Sequence, residues 1–436
     1  MTREAAPPVA LYAHVPFCVS LCPYCDFVVN AGSAARGPRA RVDAYASALL
    51  AELDLRADAL DARWGPPAPS AALAAAAPPT GAPPPAGSAS AASTPRQPLA
   101  SVYLGGGTPS ILPAATIAAL LARIRARFGL APGAEVTLEA NPGPDERSDL
   151  DGLATAGVTR LSIGAQSLVA AELRRLGRRH APGDVAETVS ATRAAGIASV
   201  SLDLLYDVPG QTAASWEATL RAALDLAPDH LSLYALTLDD PDAEGLTGDL
   251  GDHLPTPAGA RRWREAARAG QDEDAAAAAY ERACDLLHAA GYRHYEISNW
   301  AHPGHESRHN LAYWERRPYE AVGTGAHAFD GRARRWNAAA LGPYLAALAP
   351  PAASGRGPVL PPGGEEVLND ATAATEEVIL GLRTDRGVPS AMAEVGAADA
   401  LRWALEHGLA EAGADGRIRL TRRGALLSNE VFARIV

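Results

Sequence analysis

The chain has 436 residues, 48% of them hydrophobic and 20% charged, and carries a formal net charge of −11 at pH 7. That apolar share over that length supplies core for one large domain and a smaller one and excludes a chain disordered throughout, while the acidic balance argues against the broad basic face of a nucleic-acid binder. Every basic residue is arginine and lysine is absent, which excludes a Schiff-base lysine and a P-loop.

The chain opens with MTREAAPPVALYAHV, which lacks a charged n-region followed by an apolar h-region, and no apolar run reaches the width of a bilayer. The expectation is a cytoplasmic protein with reduced thiols. The first strand-like run, LYAHVP at Leu11, leads into Cys18, Cys22 and Cys25, spaced C-x3-C-x2-C within YAHVPFCVSLCPYCDF. Thiolates hold 4Fe-4S clusters one per iron, so three closely spaced cysteines leave the fourth iron open to a ligand. Cys284 lies in an Ala/Leu-rich stretch of helical periodicity and reads as a buried, inert thiol. The alternative, a structural zinc site, needs a fourth protein ligand and a second C-x2-C knuckle, and the sequence has no such knuckle.

Further along, strand-like runs alternate with helix-length amphipathic segments. The runs are SVYLGGG at Ser101, EVTLEANP at Glu135, RLSIGAQ at Arg160, SVSLDLLYDVP around Val200 and HLSLYALTL at His230, and the helical segments include 42–62, 113–128, 183–195 and 215–226. This β-α alternation predicts an α/β fold with a parallel sheet, the glycine-rich and polar signatures gathering at the carboxyl ends of the strands. Residues 65–98 are almost entirely Ala, Pro, Gly and Ser and read as a disordered insertion, and 350–364 reads as a Pro/Gly-rich linker. Beyond it, 365–436 reads as helices and a short hairpin in a winged-helix-like order, with a packing or partner role preferred to DNA binding.

The cysteine triplet, preceded by Tyr12-x-His14 and followed by GGGTP at Gly105 to Pro109, resembles the radical S-adenosylmethionine (SAM) superfamily. The resemblance implies a partial, six-stranded β/α barrel over residues 1–349, a 4Fe-4S cluster on Cys18, Cys22 and Cys25, and SAM as cofactor. The series TLEANPG, RLSIGAQS, LGRRH, SLDLLYDVPGQT, HYEISNWA and SRHNLAYWERRPYEAVGTGAHAF is similar, over nearly the whole chain, to the group that contains oxygen-independent coproporphyrinogen dehydrogenase and the heme chaperone HemW. By that resemblance SAM would lie among Tyr12, Tyr24, Gly106, Gly107, Thr108, Glu139, Gln166, Arg178 and Asp203. Glycines let backbone approach a ligand closely, carboxylates accept from its ammonium or hydroxyls, and Arg178 pairs with its carboxylate. Taken singly, Glu139 also reads as a turn residue, Asp203 as a buried cap and Arg178 as a solvated charge.

Within the group, the dehydrogenase carries a further cysteine two residues after the last cluster ligand, where this chain reads Cys25-Asp26-Phe27. It also has a longer amino-terminal extension, and HNLAYW from His309 fits the H-N-x-x-Y-W signature of the chaperone group. These differences favour the chaperone over a coproporphyrinogen-decarboxylating enzyme. The family's glycine before Val208-Pro209-Gly210 is replaced here by Asp207. Heme and apo-hemoprotein acceptors follow as partners; contact with membrane hemoproteins and a homodimer are left open. Ferric heme takes axial imidazole, and His294, His302, His305 and His309 crowd together beside Tyr295, Trp300, Tyr313 and Trp314. His309 is the lead heme candidate because it stands in the matching motif, His327 a second one, and His14 is assigned to supporting the cysteine loop.

Overall fold

The six strand runs expected from the sequence all form, side by side in one sheet. A computed structural model describes residues 4–32, 40–68, 95–238, 241–351, 355, 357–394 and 397–436. In chain order its first strands are β1 (Ala10–Val15), the short β2 (Phe17–Cys18) and β3 (Asn30–Ala31), β4 (Leu99–Gly106), β5 (Leu130–Ala140), β6 (Arg160–Gln166), β7 (Ser199–Tyr206) and β8 (His230–Ala235). Strands β1, β4, β5, β6, β7 and β8 neighbour one another in that order, every pair parallel. β2 and β3 pair separately and bracket the cysteine loop. Most of the insertion expected at 65–98 lies outside the described residues.

The sheet extends beyond this parallel centre. Next come β9 (Arg293–Glu296), β10 (Asn299–Ala301), β11 (Tyr319–Val322), β12 (His327–Phe329), β13 (Ala333–Asn337) and β14 (Gly363–Val367). β11 joins β1 in parallel, β12 to β14 follow antiparallel beyond it, and β10 and β9 cover the far edge beside β8. The ends, β14 and β9, do not pair with each other, so the sheet stays open. β14 straddles the expected boundary between linker and carboxy-terminal unit. Its Gly363 and Gly364 lie so close to Trp336 that a Cβ at either would collide with it, and this holds the segment flat against β13 as an edge strand.

The two faces of the parallel strands differ in chemistry. Val102, Leu104, Val136, Leu138, Leu161, Ile163, Val200, Leu202, Leu231 and Leu233 belong to the main hydrophobic core together with helix residues. Helix Ala114–Phe128 buries Ile117, Leu120, Leu121, Ile124 and Phe128 at three-to-four spacing. Helix Ala213–Asp225 buries Trp216, Thr219, Leu220 and Ala223, and Thr212 caps it by accepting from Ser215 N. The alternate strand positions carry Tyr103, Glu139, Arg160, Ser162, Asp203, Ser232 and Tyr234, and line a cavity instead.

One buried charge fixes the first long helix, Ala40–Trp64, to the sheet. Glu52 is fully buried, accepts from Arg56 Nε at 3.2 Å, Asn337 Nδ2 at 2.8 Å, Tyr344 Oη at 2.7 Å and Gly323 N at 2.9 Å, and is thereby fully paired. The carboxy-terminal unit runs helix Asp370–Leu382, β15 (Val388–Pro389), helix Ala398–Glu406, a hairpin of β16 (Ala410–Ala412) and β17 (Arg417–Leu420), and helices Arg422–Leu426 and Ser428–Phe432. Its winged-helix-like order closes on a second core that includes Val378, Leu382, Val388, Leu401, Leu409, Ile418 and Val431. Among the described residues no helix is long and apolar enough to cross a membrane.

Candidate functional site

The cysteine loop leaves β1 and lies over the carboxyl ends of the parallel strands. Cys18, Cys22 and Cys25 are free thiols, and all three line a cavity of about 870 Å3. Cys25 N donates to Cys22 O at 3.1 Å. Arg264 pins the loop from outside, donating through Nε to Pro23 O at 3.1 Å and through Nη2 to Cys25 O at 2.9 Å. Cys18 Sγ lies 3.1 Å from Thr108 Oγ1, and burial pushes its thiol up to about 12. Burial pushes Cys25 up as well. Among the described residues no three His, Cys, Asp or Glu side chains are arranged to hold a single metal ion.

The residues expected around SAM mostly face the same space. Tyr24, Gly106, Gly107, Thr108, Glu139, Gln166, Arg178 and Asp203 line the cavity with the cysteines. Gly106 has φ +111°, and a Cβ there would strike the His14 imidazole; a Cβ on Gly107 would strike the Phe17 carbonyl. Only glycine permits this close passage of β4 over the cysteine loop. Gly106 N donates to Glu139 Oε2 at 2.9 Å and Tyr103 Oη to Glu139 Oε1 at 2.8 Å. Burial nevertheless raises the Glu139 carboxyl to about 7. Burial raises Asp203 too, which accepts from Ser162 Oγ at 3.1 Å.

Arg178 reaches three walls at once. Its Nη1 donates to Cys22 Sγ at 3.6 Å, its Nη2 to Gly164 O at 2.8 Å and to Asn141 Oδ1. Its Nε is buried without a partner. Burial opposes its charge, but Tyr24 and Cys22 beside it hold its pKa above the ordinary value. An orphaned donor, a glycine cradle and three thiols on one cavity match what a cluster-bound anionic and cationic ligand requires.

Two expected residues stand apart. Tyr12 lies behind the cavity wall, its Oη 3.0 Å from His14 Nδ1. His14 Nε2 donates to Val28 O at 2.8 Å, so the imidazole ties β1 to the cysteine loop, and Nδ1 accepts from Tyr12. His309 is 1% exposed, with Nδ1 3.0 Å from Ser101 Oγ and Nε2 2.7 Å from Tyr313 Oη. Burial, with Arg160 nearby, lowers it to about 3. Both ring nitrogens are engaged, so axial ligation there requires breaking a buried hydrogen bond. The neighbouring histidines disperse: His294 stacks on Trp300 at 4.2 Å, His302 on Tyr292 at 4.0 Å, and His305 bonds Ser199 Oγ at 3.0 Å.

Other lining residues were not singled out from the sequence. Tyr103, Arg160, Ser162, Ser232 and Tyr234 come from the inner strand face, and Ala425, Leu426, Ser428 and Asn429 from the last two helices. The alternation within the strands carried a signal for the first set; nothing local marked the second. Asp207, which stands where the family has glycine, has φ +59°, and its carboxylate accepts from Gln271 Nε2 at 3.0 Å. That bond offsets the cost of a left-handed conformation.

Residues 89–223 match the Radical SAM superfamily. The heme chaperone HemW of Mycobacterium tuberculosis is 36% identical over 426 residues, 97% of this chain and 94% of the relative. The heme chaperone HemW of Escherichia coli K12 is 34% identical over 333 residues, 76% of this chain and 73% of the relative. Among solved structures, the coproporphyrinogen III oxidase HemN of Escherichia coli, a radical SAM enzyme, superposes with a TM-score of 0.73 at 21% identity, over 100% of this chain and 91% of that one, a likeness of fold. With the cysteine triplet and the glycine-rich strand end on one cavity, and a relative matched almost end to end, the chain belongs to the HemW heme chaperone family of radical SAM proteins.

Proposed function

We infer that this chain captures heme and passes it to apo-hemoproteins, holding a 4Fe-4S cluster on Cys18, Cys22 and Cys25 with SAM beside it. The observation that carries the reading is the convergence of three thiols, Arg178, Glu139 and the Gly106-Gly107 backbone on one cavity. When bound, the cluster supplies an electron and an open iron that can be chelated by SAM's amino and carboxylate groups. The protein's part is to hold and orient. Arg178 offers a guanidinium with a free Nε to a carboxylate, Glu139 and Asp203 accept from ammonium or hydroxyl groups, and the glycines admit the ligand against the backbone. Ala425, Leu426, Ser428 and Asn429 of the carboxy-terminal unit line the same cavity, and we assign that unit to closing the site.

Phe27 supports the chaperone over the decarboxylating enzyme. It stands where the dehydrogenase has its further cysteine, lines the cavity and is 64% exposed. An apolar ring replaces a thiol at that point, so the side chain there can pack against a ligand but cannot exchange a hydrogen atom as a thiol does. The deciding test is anaerobic incubation of the cluster-reconstituted protein with SAM, a reductant and coproporphyrinogen III. The expected outcome is no protoporphyrinogen, together with hemin uptake and its delivery to an apo-hemoprotein. Catalytic formation of protoporphyrinogen would overturn the reading.

A further inference from the structure

Two imidazoles converge on one carboxylate at the surface, away from the histidine-rich segment. His253 Nδ1 lies 2.9 Å from Asp252 Oδ1, and His327 Nε2 lies 2.7 Å from Asp252 Oδ2. An ionised carboxylate only accepts, so both of those nitrogens carry protons. In the neutral rings the lone pairs then sit on His253 Nε2 and His327 Nδ1, for which no partner exists among the described residues. Burial holds His327 below its ordinary pKa, keeping it neutral at pH 7. Burial opposes ionisation of Asp252, but its hydrogen-bonded neighbours, the bond from His253 first among them, outweigh it and lower its pKa.

A carboxylate that fixes the tautomer and aim of an imidazole is the support that metal-ligating histidines use. Here the side chains are 28% exposed at His253 and 42% at His327, so both rings reach solvent. No three donors among the described residues suit a bare ion. A porphyrin iron brings four equatorial nitrogens and needs only one or two more from protein. The surroundings fit such a flat, apolar ligand. Trp336 lies nearly parallel to His327 at 5.9 Å and 20°, and its Nε1 donates to Leu250 O at 3.1 Å. Leu250 is 57% exposed. A Cβ at Gly325 would strike both Val28 and the Asp252 carbonyl, which places the pair against the segment carrying Cys25 and the exposed Phe27.

We propose that His253 is an axial ligand for the iron of a ferric porphyrin, with Asp252 as its positioning residue, His327 as the companion imidazole and Leu250 and Trp336 packing on the ring. This rests on the heme-chaperone reading and moves the iron site from His309 to the rim beside the cysteine loop.

The test titrates the full-length protein with hemin and reads absorption and electron paramagnetic resonance. His253→Ala should weaken hemin binding by roughly tenfold or more and lose the imidazole-ligated signature, which added imidazole should restore; Asp252→Asn should weaken it by about tenfold. His309→Ala should keep the signature. Unchanged cluster iron and SAM binding in His253→Ala would show that the loss is local. If His253→Ala/His327→Ala binds hemin with the wild-type affinity and signature, the proposal fails while the chaperone reading stands. If the wild-type protein takes up no hemin, both fail.

Discussion

Replacing Glu139 by glutamine isolates the electrostatic cost of keeping a carboxylate ready in a buried cavity. The folded protein raises this group from an ordinary 4.5 to about 7, burial being the largest cause. At about 1.4 kcal/mol per unit of pKa difference, the ionised form weakens the fold by roughly 3 kcal/mol. The sign follows from proton binding. Between those two values the folded chain holds the proton and the unfolded chain does not, so the group's contribution is full below about 4.5 and is lost as pH rises through about 7. Some of the change is complete by pH 5.5, and about 2 kcal/mol remains to be lost between pH 5.5 and 8.

Glutamine is nearly the same size and can keep both present contacts, its oxygen accepting from Gly106 N and its amide donating to the Tyr103 oxygen. Its offset is therefore independent of pH. The assay is urea denaturation of wild type and Glu139→Gln without SAM, anaerobically, across that pH range. The difference between them should shift by about 2 kcal/mol in favour of glutamine as pH rises. With SAM present at pH 8 glutamine's advantage should shrink by about 1.4–2.8 kcal/mol, because loss of a charge-assisted hydrogen bond should weaken SAM binding by roughly tenfold to a hundredfold. A difference that stays flat with pH would refute the reasoning, since it would mean that Glu139 ionises in the SAM-free protein as freely as in water.

Two further substitutions separate ligand binding from scaffolding. Arg178→Lys keeps the charge but loses the fork that reaches Cys22, Gly164 and Asn141 together, and should weaken SAM binding by about tenfold or more in calorimetry while the cluster still assembles; unchanged affinity would take Arg178 out of the site. His309→Ala leaves the Ser101 and Tyr313 hydroxyls buried and unpaired and should lower the stability of hemin-free protein by about 2–4 kcal/mol in denaturant titration; full stability with a large loss of hemin affinity would return His309 to the iron.

The strand centre was legible because β4 to β8 alternate between core and cavity, as RLSIGAQ and SVSLDLLY show in their letters. The outer strands were not, since segments such as ARRWN and GGEEV are short, polar and without a period of two. The glycines and acids after the strands could be read because each ends a run whose direction was already set. Histidine density misled: proximity in sequence brought His294, His302, His305 and His309 near one another along the chain, yet each turned to a different ring or hydroxyl. Asp252 and His253 escaped notice for the opposite reason, their partner His327 lying more than seventy residues away. Asp207, marked only as a departure from glycine, proved to occupy the left-handed conformation that glycine would take without strain.

Arg178 shows why such a site is assembled from distant segments rather than from one motif. The cysteine loop hangs from β1, Asn141 follows β5, and Gly164 lies in β6; one buried guanidinium bonds to all three and still has Nε unpartnered. Removing those contacts would leave buried acceptors unpaired and loosen the cysteine loop at Cys22, so the arginine stiffens the loop before any ligand arrives. When Cys22 becomes a thiolate both partners of its bond to Arg178 carry charge and the bond strengthens. An anionic carboxylate meeting Nε then finds a group already oriented, with little side-chain freedom left to lose. Cluster loading and SAM binding should therefore reinforce each other through this single side chain, the coupling being largest in wild type and reduced in Arg178→Lys.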